Sequence, residues 1–106
     1  MARILLTVPK TARRGEVIEI RALIAHHMET GFRANSEGQV QPRDIIRRFV
    51  CRYNGEQVFS AELYSAISAN PYLVFHTIAT ETGFLDFEWA GDNNFSQVER
   101  VPITVS

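Results

Sequence analysis

Cysteine is almost missing from this chain of 106 residues: Cys51 stands alone, so no internal disulfide and no multi-cysteine zinc site can staple the fold. Lysine is equally scarce. Ten of the eleven basic residues are arginine, whose planar guanidinium makes bidentate and stacked contacts that an ammonium cannot, and which is enriched at interfaces. No apolar run approaches the roughly 20 residues that a bilayer-spanning helix needs, so no membrane insertion is expected. The apolar stretch within Met1 to Pro9 is too short for the h-region of a signal peptide, which predicts a chain without an export signal of its own. There is no Gly-x-Ser-x-Gly elbow to suggest a hydrolase, no internal repeat and no low-complexity tract.

What is present fits one domain, residues 1–106, with 45% hydrophobic and 22% charged residues. The net charge of −1 hides an asymmetry. Met1 to Tyr53 carries ten basic and five acidic residues, Asn54 to Ser106 one basic and seven acidic. The arginines Arg13, Arg14, Arg43, Arg47, Arg48 and Arg52 are candidates for phosphate, but nucleic-acid binders are strongly basic and interleave aromatics with their charges. This slightly acidic chain favours a protein partner over nucleic acid.

Periodicity predicts strands throughout and no helix. Arg3 to Val8 reads as a first strand and Lys10 to Gly15 as a turn. From Glu16 to Ile24, Ile18, Ile20, Ala22 and Ile24 alternate with a set containing Glu19 and Arg21, the pattern of a strand with one buried face. Periodicity is lost from Ala25 to Gln41, a polar loop long enough to be functional. Asp44 to Tyr53 resumes as a strand, predicted to place Ile45, Arg47, Phe49, Cys51 and Tyr53 on the core face and Ile46, Arg48, Val50 and Arg52 on the other. Asn54-Gly55 is a hairpin signal for a type I′ turn into a strand at Gln57 to Leu63. Tyr72 to Thr80 follows the Asn70-Pro71 turn and is apolar on both sides, with Leu73, Phe75 and Ala79 on one face and Tyr72, Val74, His76 and Ile78 on the other. A strand apolar on both faces implies that something covers the outer one. Phe84 to Trp89 and about Phe95 to Val105 complete seven strands, the pattern of an immunoglobulin-like antiparallel β-sandwich.

Several side chains invite chemistry. His26, His27, Met28 and Cys51 supply the ligand types of a blue-copper site, so a stand-alone small copper or redox protein of sandwich fold is the alternative reading. The spacing disfavours it, because no His or Met follows Cys51 within twenty residues and adjacent His26 and His27 point to opposite sides of a strand. A lone cysteine on the apolar face of a strand reads as a small buried hydrophobe whose thiolate chemistry is suppressed. No catalytic residue, metal ligand or cofactor is assigned, and the chain reads as a non-enzyme. Self-association through the apolar outer faces is a third reading.

One resemblance covers nearly the whole chain. Ala22-Leu23-Ile24-Ala25-His26-His27-Met28-Glu29-Thr30-Gly31-Phe32-Arg33 resembles the SoxZ family. So do Pro42-Arg43-Asp44-Ile45-Ile46 leading to Phe49 and Cys51, then Asn54-Gly55, Asn70-Pro71-Tyr72 with Phe75, and Gly83 followed by Phe87 and Trp89. The resemblance implies a non-catalytic subunit of the SoxYZ complex of bacterial thiosulfate oxidation. Its SoxY partner carries sulfur intermediates on a cysteine near the end of a flexible, glycine-flanked C-terminal arm, and this chain, ending Val101-Pro102-Ile103-Thr104-Val105-Ser106, is expected to be the partner and not the carrier. The resemblance implies a heterodimer that docks transiently to sulfur-oxidation enzymes, and leaves homo-oligomers open where the partner is absent. It also implies a periplasmic location reached by co-export with the partner. Ala90-Gly91-Asp92-Asn93-Asn94 departs from the acidic residues and glycine expected after the Trp, and His27 and Phe32 stand where polar or basic residues are more usual. The expected partner interface combines Ile46, Arg48, Val50 and Arg52 with Tyr72, Val74 and Ile78, with Arg33 and Arg43 placed beside them.

Overall fold

The computed structural model describes residues 3–25, 34, 38–39, 43–64 and 70–106. Eight strands form two sheets: β1 (Arg3–Thr7), β2 (Thr11–Ala12), β3 (Val17–Ala25), β4 (Ile46–Tyr53), β5 (Glu56–Glu62), β6 (Tyr72–Ile78), β7 (Gly83–Gly91) and β8 (Ser96–Val105). A three-stranded sheet has the order β1-β3-β6, and a five-stranded sheet the order β2-β8-β7-β4-β5. All pairings are antiparallel except β2 with β8. This is the immunoglobulin-like sandwich that the strand pattern predicts.

The eighth strand corrects the expected turn at Lys10 to Gly15. Thr11 and Ala12 run parallel to Thr104 and Val105, with Thr104 N donating to Lys10 O and Ser106 N to Ala12 O, both at 3.0 Å. A two-residue strand held by the far end of the chain has no local signature, since its hydrogen bonds come from residues more than ninety positions away.

Where an intact strand alternates, the core follows the alternation. Ile18, Ile20, Ala22 and Ile24 on β3 and Leu85, Phe87 and Trp89 on β7 are buried. Phe49 sits among four other aromatic rings, those of Phe59, Phe75, Phe87 and Trp89, at centroid distances of 6.1, 5.9, 6.2 and 5.2 Å. Phe59 of β5 stacks on Phe75 of β6 at 4.2 Å, joining one sheet to the other. This column bridges the layers where many immunoglobulin-like domains have a disulfide, and each aromatic pair adds about 0.5–1.5 kcal/mol beyond its area burial. Tyr53, at the end of β4, makes a second bridge. Its hydroxyl accepts from Thr80 N at 3.2 Å and Glu81 N at 3.1 Å and donates to Glu81 O, pinning the link by which the chain crosses from β6 to β7.

Strand β4 breaks the expected alternation. Its register against β7 shifts between Ile46 and Arg48, and a bulge of this kind gives one strand an extra residue and reverses the faces on either side of it. Ile45 and Ile46 are therefore both buried, while Arg47, expected in the core, is exposed. The type I′ turn forms as predicted, with Asn54 at φ 49° and Gly55 at φ 86°. Asn54 Oδ1 then accepts from Phe84 N at 3.0 Å, so close to Gly83 that a Cβ there would collide with the Asn54 side chain.

Candidate functional site

The sandwich presents two outer faces that point in opposite directions, and the expected interface is divided between them. Arg48, Val50 and Arg52 belong to the five-stranded sheet, whereas Tyr72, Val74 and Ile78 belong to the three-stranded one. A single flat patch containing both sets does not exist, because the core lies between them. Ile46 leaves the expected interface altogether, fully buried in the core cluster by the bulge. Val50 does face outward, yet it is only 2% exposed, in a row between Ser60 and Glu88. Arg33, His26, His27 and Met28 lie outside the described residues.

Arg43 is committed within the chain. Its Nε and Nη2 donate to Asp92 Oδ2 and Oδ1 at 2.7 and 2.9 Å, Ile45 N donates to the same carboxylate at 3.3 Å, and Asp92 N donates back to Ile45 O at 2.9 Å. The pair ties the start of β4 to the β7–β8 turn. Arg43's hydrogen bonds hold the Asp92 carboxyl below the usual carboxylate range, helped by the amide of Ile45 and the charge of Arg47 and opposed by partial burial.

The outer face of the five-stranded sheet is charged and internally paired. Arg52 Nη1 donates to Glu88 Oε1 at 3.0 Å. Arg100 grips Asp86 with two hydrogen bonds at 2.7 and 3.2 Å, and its guanidinium lies 4.8 Å from the centre of the Phe84 ring. These pairs follow from register: Asp86 stands opposite both Arg52 and Arg100 in the ladder, and Glu88 stands opposite Val50 and Val98. They line a shallow depression of about 500 Å³ with Val98. Arg48 has no ion-pair partner among the described residues.

The outer face of the three-stranded sheet differs in kind. Leu5, Leu23 and Tyr72 form one cross-strand row, Val17 and Ile78 another, and Val74 lies beside Arg21. Of the eight large exposed hydrophobic residues among those described, five lie here: Leu5, Val17, Tyr72, Val74 and Ile78. A narrow polar band crosses the middle, where Arg21 Nη2 donates to Glu19 Oε2 at 3.1 Å and His76 Nε2 lies 3.9 Å from Glu19 Oε1. Leu5, Val17 and Leu23 are absent from the sequence-based interface, although Val17 and Leu23 belong to the outward set of β3 with Glu19 and Arg21. Their cross-strand neighbours, which make them a patch, are set by pairing that no single strand reveals.

Cys51 lies fully buried between Phe59 and Phe87 in the ladder. Burial, with a smaller contribution from the charge of Asp86, pushes its thiol up to about 12, so at neutral pH it is protonated and out of reach of solvent. It packs as a small hydrophobe.

The family model described as "Sulphur oxidation protein SoxZ" matches residues 6–102. The chain belongs to the SoxZ family. SoxZ membership gives it a role in sulphur oxidation and ties it to the SoxYZ complex. No curated protein matches the chain significantly. Among solved structures, the SoxZ-family fold is similar to a superoxide reductase (neelaredoxin) from Ignicoccus hospitalis, with a TM-score of 0.74 and 12% identity over 97% of this chain and 80% of that one. It is also similar to a CARDB domain from Pyrococcus furiosus solved with di-metal ions, with a TM-score of 0.55 and 9% identity over 100% and 94% of the two chains. At such identities the likeness to both structures is one of fold alone.

Proposed function

We propose that this SoxZ-family chain is the non-catalytic subunit of a heterodimeric sulfur carrier. It binds a SoxY-type subunit whose C-terminal cysteine carries the sulfur intermediates of thiosulfate oxidation, and holds that subunit for the enzymes that dock to the complex. The observation that carries this reading is the uncovered apolar face of β1, β3 and β6, which is solvated in the isolated chain and which a partner of similar shape would cover. Cys51 supports the division of labour, since a buried, protonated thiol is unsuited to carry a sulfur adduct. The same reading puts the complex in the periplasm, with this subunit exported by its partner.

Co-expression with the SoxY-type subunit, followed by size-exclusion chromatography with mass detection, tests the reading. An equimolar complex is the expected result. Elution of this chain alone, folded and monomeric, would remove the binding role. Cell fractionation with and without the partner tests the export route: deletion of the partner's signal peptide should leave both subunits in the cytoplasm.

A further inference from the structure

Strand β6 is an edge of the three-stranded sheet, paired with β3 on one side only. Its hydrogen-bonding alternation is fixed at both ends of that ladder: Ile24 N donates to Pro71 O at 3.2 Å, and Ala79 N donates to Glu16 O at 2.8 Å. The odd-numbered residues therefore turn their backbone groups toward β3. An antiparallel strand alternates the direction of these groups residue by residue, so the amides and carbonyls of Tyr72, Val74, His76 and Ile78 point to the other edge. No strand meets them there among the described residues.

Proteins normally blunt such an edge with lysine, proline, a bulge or a covering element. Tyr72–Ile78 contains no charged residue of fixed sign and no proline, and its register with β3 is unbroken over seven consecutive pairs. Beside the edge runs an open groove of about 590 Å³, between His76, Ile78, Thr80 and Glu81 on one wall and Glu56 and Val58 of the opposite sheet on the other. The edge is accessible along this groove, and two carboxylates stand at it.

We infer that β6 accepts an extended segment of the SoxY-type subunit as a fourth strand. This rests on the proposed role as partner of that subunit. Four amides and four carbonyls along a strand of about 23 Å specify a peptide backbone as the occupant, because only a strand presents complementary groups at that spacing. Tyr72, Val74 and Ile78 present their side chains on the apolar outer face, so the added strand continues that face and carries apolar residues at alternate positions. Glu56 and Glu81 call for lysine or arginine where the segment passes the groove.

Amide hydrogen exchange on the isolated chain and on the purified complex with the SoxY-type subunit tests the inference. The amides of Val74, His76 and Ile78 should exchange freely in the isolated chain and become protected in the complex, while those of Phe75 and Thr77 are protected in both. An assembled complex in which Val74, His76 and Ile78 still exchange freely would overturn the added strand and leave the binding role standing. Absence of any complex would overturn both. Protection in the isolated chain that grows with concentration and accompanies a dimer in sedimentation would make the occupant a second copy and overturn the assignment to the partner. As a second arm, His76→Pro deletes one edge amide without touching the β3 ladder. It should preserve the melting temperature to within a few degrees and weaken partner binding about tenfold, whereas unchanged affinity in a folded variant would count against the inference.

Discussion

On the five-stranded sheet, Asp86 and Glu88 find their cations across the ladder in Arg100 and Arg52, so the acidic residues of β7 are paired within the chain. On the three-stranded sheet a single polar band, Arg21 with Glu19 and His76, separates two groups of exposed aliphatic and aromatic side chains. Both faces belong to antiparallel strands with one buried side, for which a wet, polar exterior is the ordinary outcome. One face follows that expectation and the other does not. Charge on a surface thus says less about binding than whether its groups are already satisfied: ion pairs closed within the chain leave little to offer a partner, whereas a contiguous apolar patch gains by being covered. Among the arginines that attract attention in the sequence, Arg43, Arg47 and Arg52 already meet carboxylates within the chain.

The contrast between faces is best tested by changes that act on one and spare the other, after one that removes both. Phe49→Ala opens the aromatic column that spaces the two sheets and should cost about 3–5 kcal/mol in urea unfolding; a loss below about 1 kcal/mol would show that the column is not what holds the layers together. Val74→Asp and Val98→Asp form a matched pair, since the two valines are 45% and 59% exposed on opposite faces. The first should weaken SoxY-type binding about a hundredfold in calorimetric titration and the second not at all, each with stability unchanged within about 0.5 kcal/mol. Equal effects would abolish the distinction. Arg52→Glu sets two carboxylates against each other across β4 and β7, so a stability loss of about 0.2–1 kcal/mol is expected with partner affinity retained. Weakened binding would return Arg52 to the interface.

The smallest effect concerns acid. The Asp92 carboxyl has a lower pKa folded than unfolded, with hydrogen bonds from Arg43 as the main cause, so as pH falls the unfolded chain takes up this proton first. The contribution of the pair is therefore fully present above the ordinary carboxylate pKa of about 3.9 and lost as pH falls through the lower folded value. Asp92→Asn should flatten that part of the acid-unfolding profile while leaving stability at alkaline pH with an unchanged slope. A wild-type profile identical to that of the variant below about pH 4 would remove the pair from the balance.

Much of the fold was legible because alternation survives wherever a strand is unbroken: the buried sets of β3 and β7 and the Asn54-Gly55 turn match the local pattern residue by residue. Strand β4 failed for a local reason with a non-local cause. The bulge before Arg48 exists because of how β4 registers against β7, and it exchanges Ile46 for Arg47 between core and surface. The apolar outer face was legible only in part. Tyr72, Val74 and Ile78 were identifiable from a strand apolar on both sides, but Leu5, Val17 and Leu23 join them only through pairing with β1 and β3, and Arg43, Arg52 and Arg100 were claimed by carboxylates that are neighbours in space alone.

The sequence by itself determined the composition of the layers: period-2 burial, turn chemistry at Asn-Gly, a lone cysteine that excludes a disulfide, and family-specific residues from one end of the chain to the other. Those properties act within a few residues, or in the chain as a whole, and need no knowledge of pairing. Tertiary structure alone decided that β4 and β6 belong to opposite sheets, which arginines are neutralised, and that β6 ends its sheet with no further strand beside it among the described residues. Each of these depends on which strands meet and in what register, and register is set by packing between segments far apart in the chain.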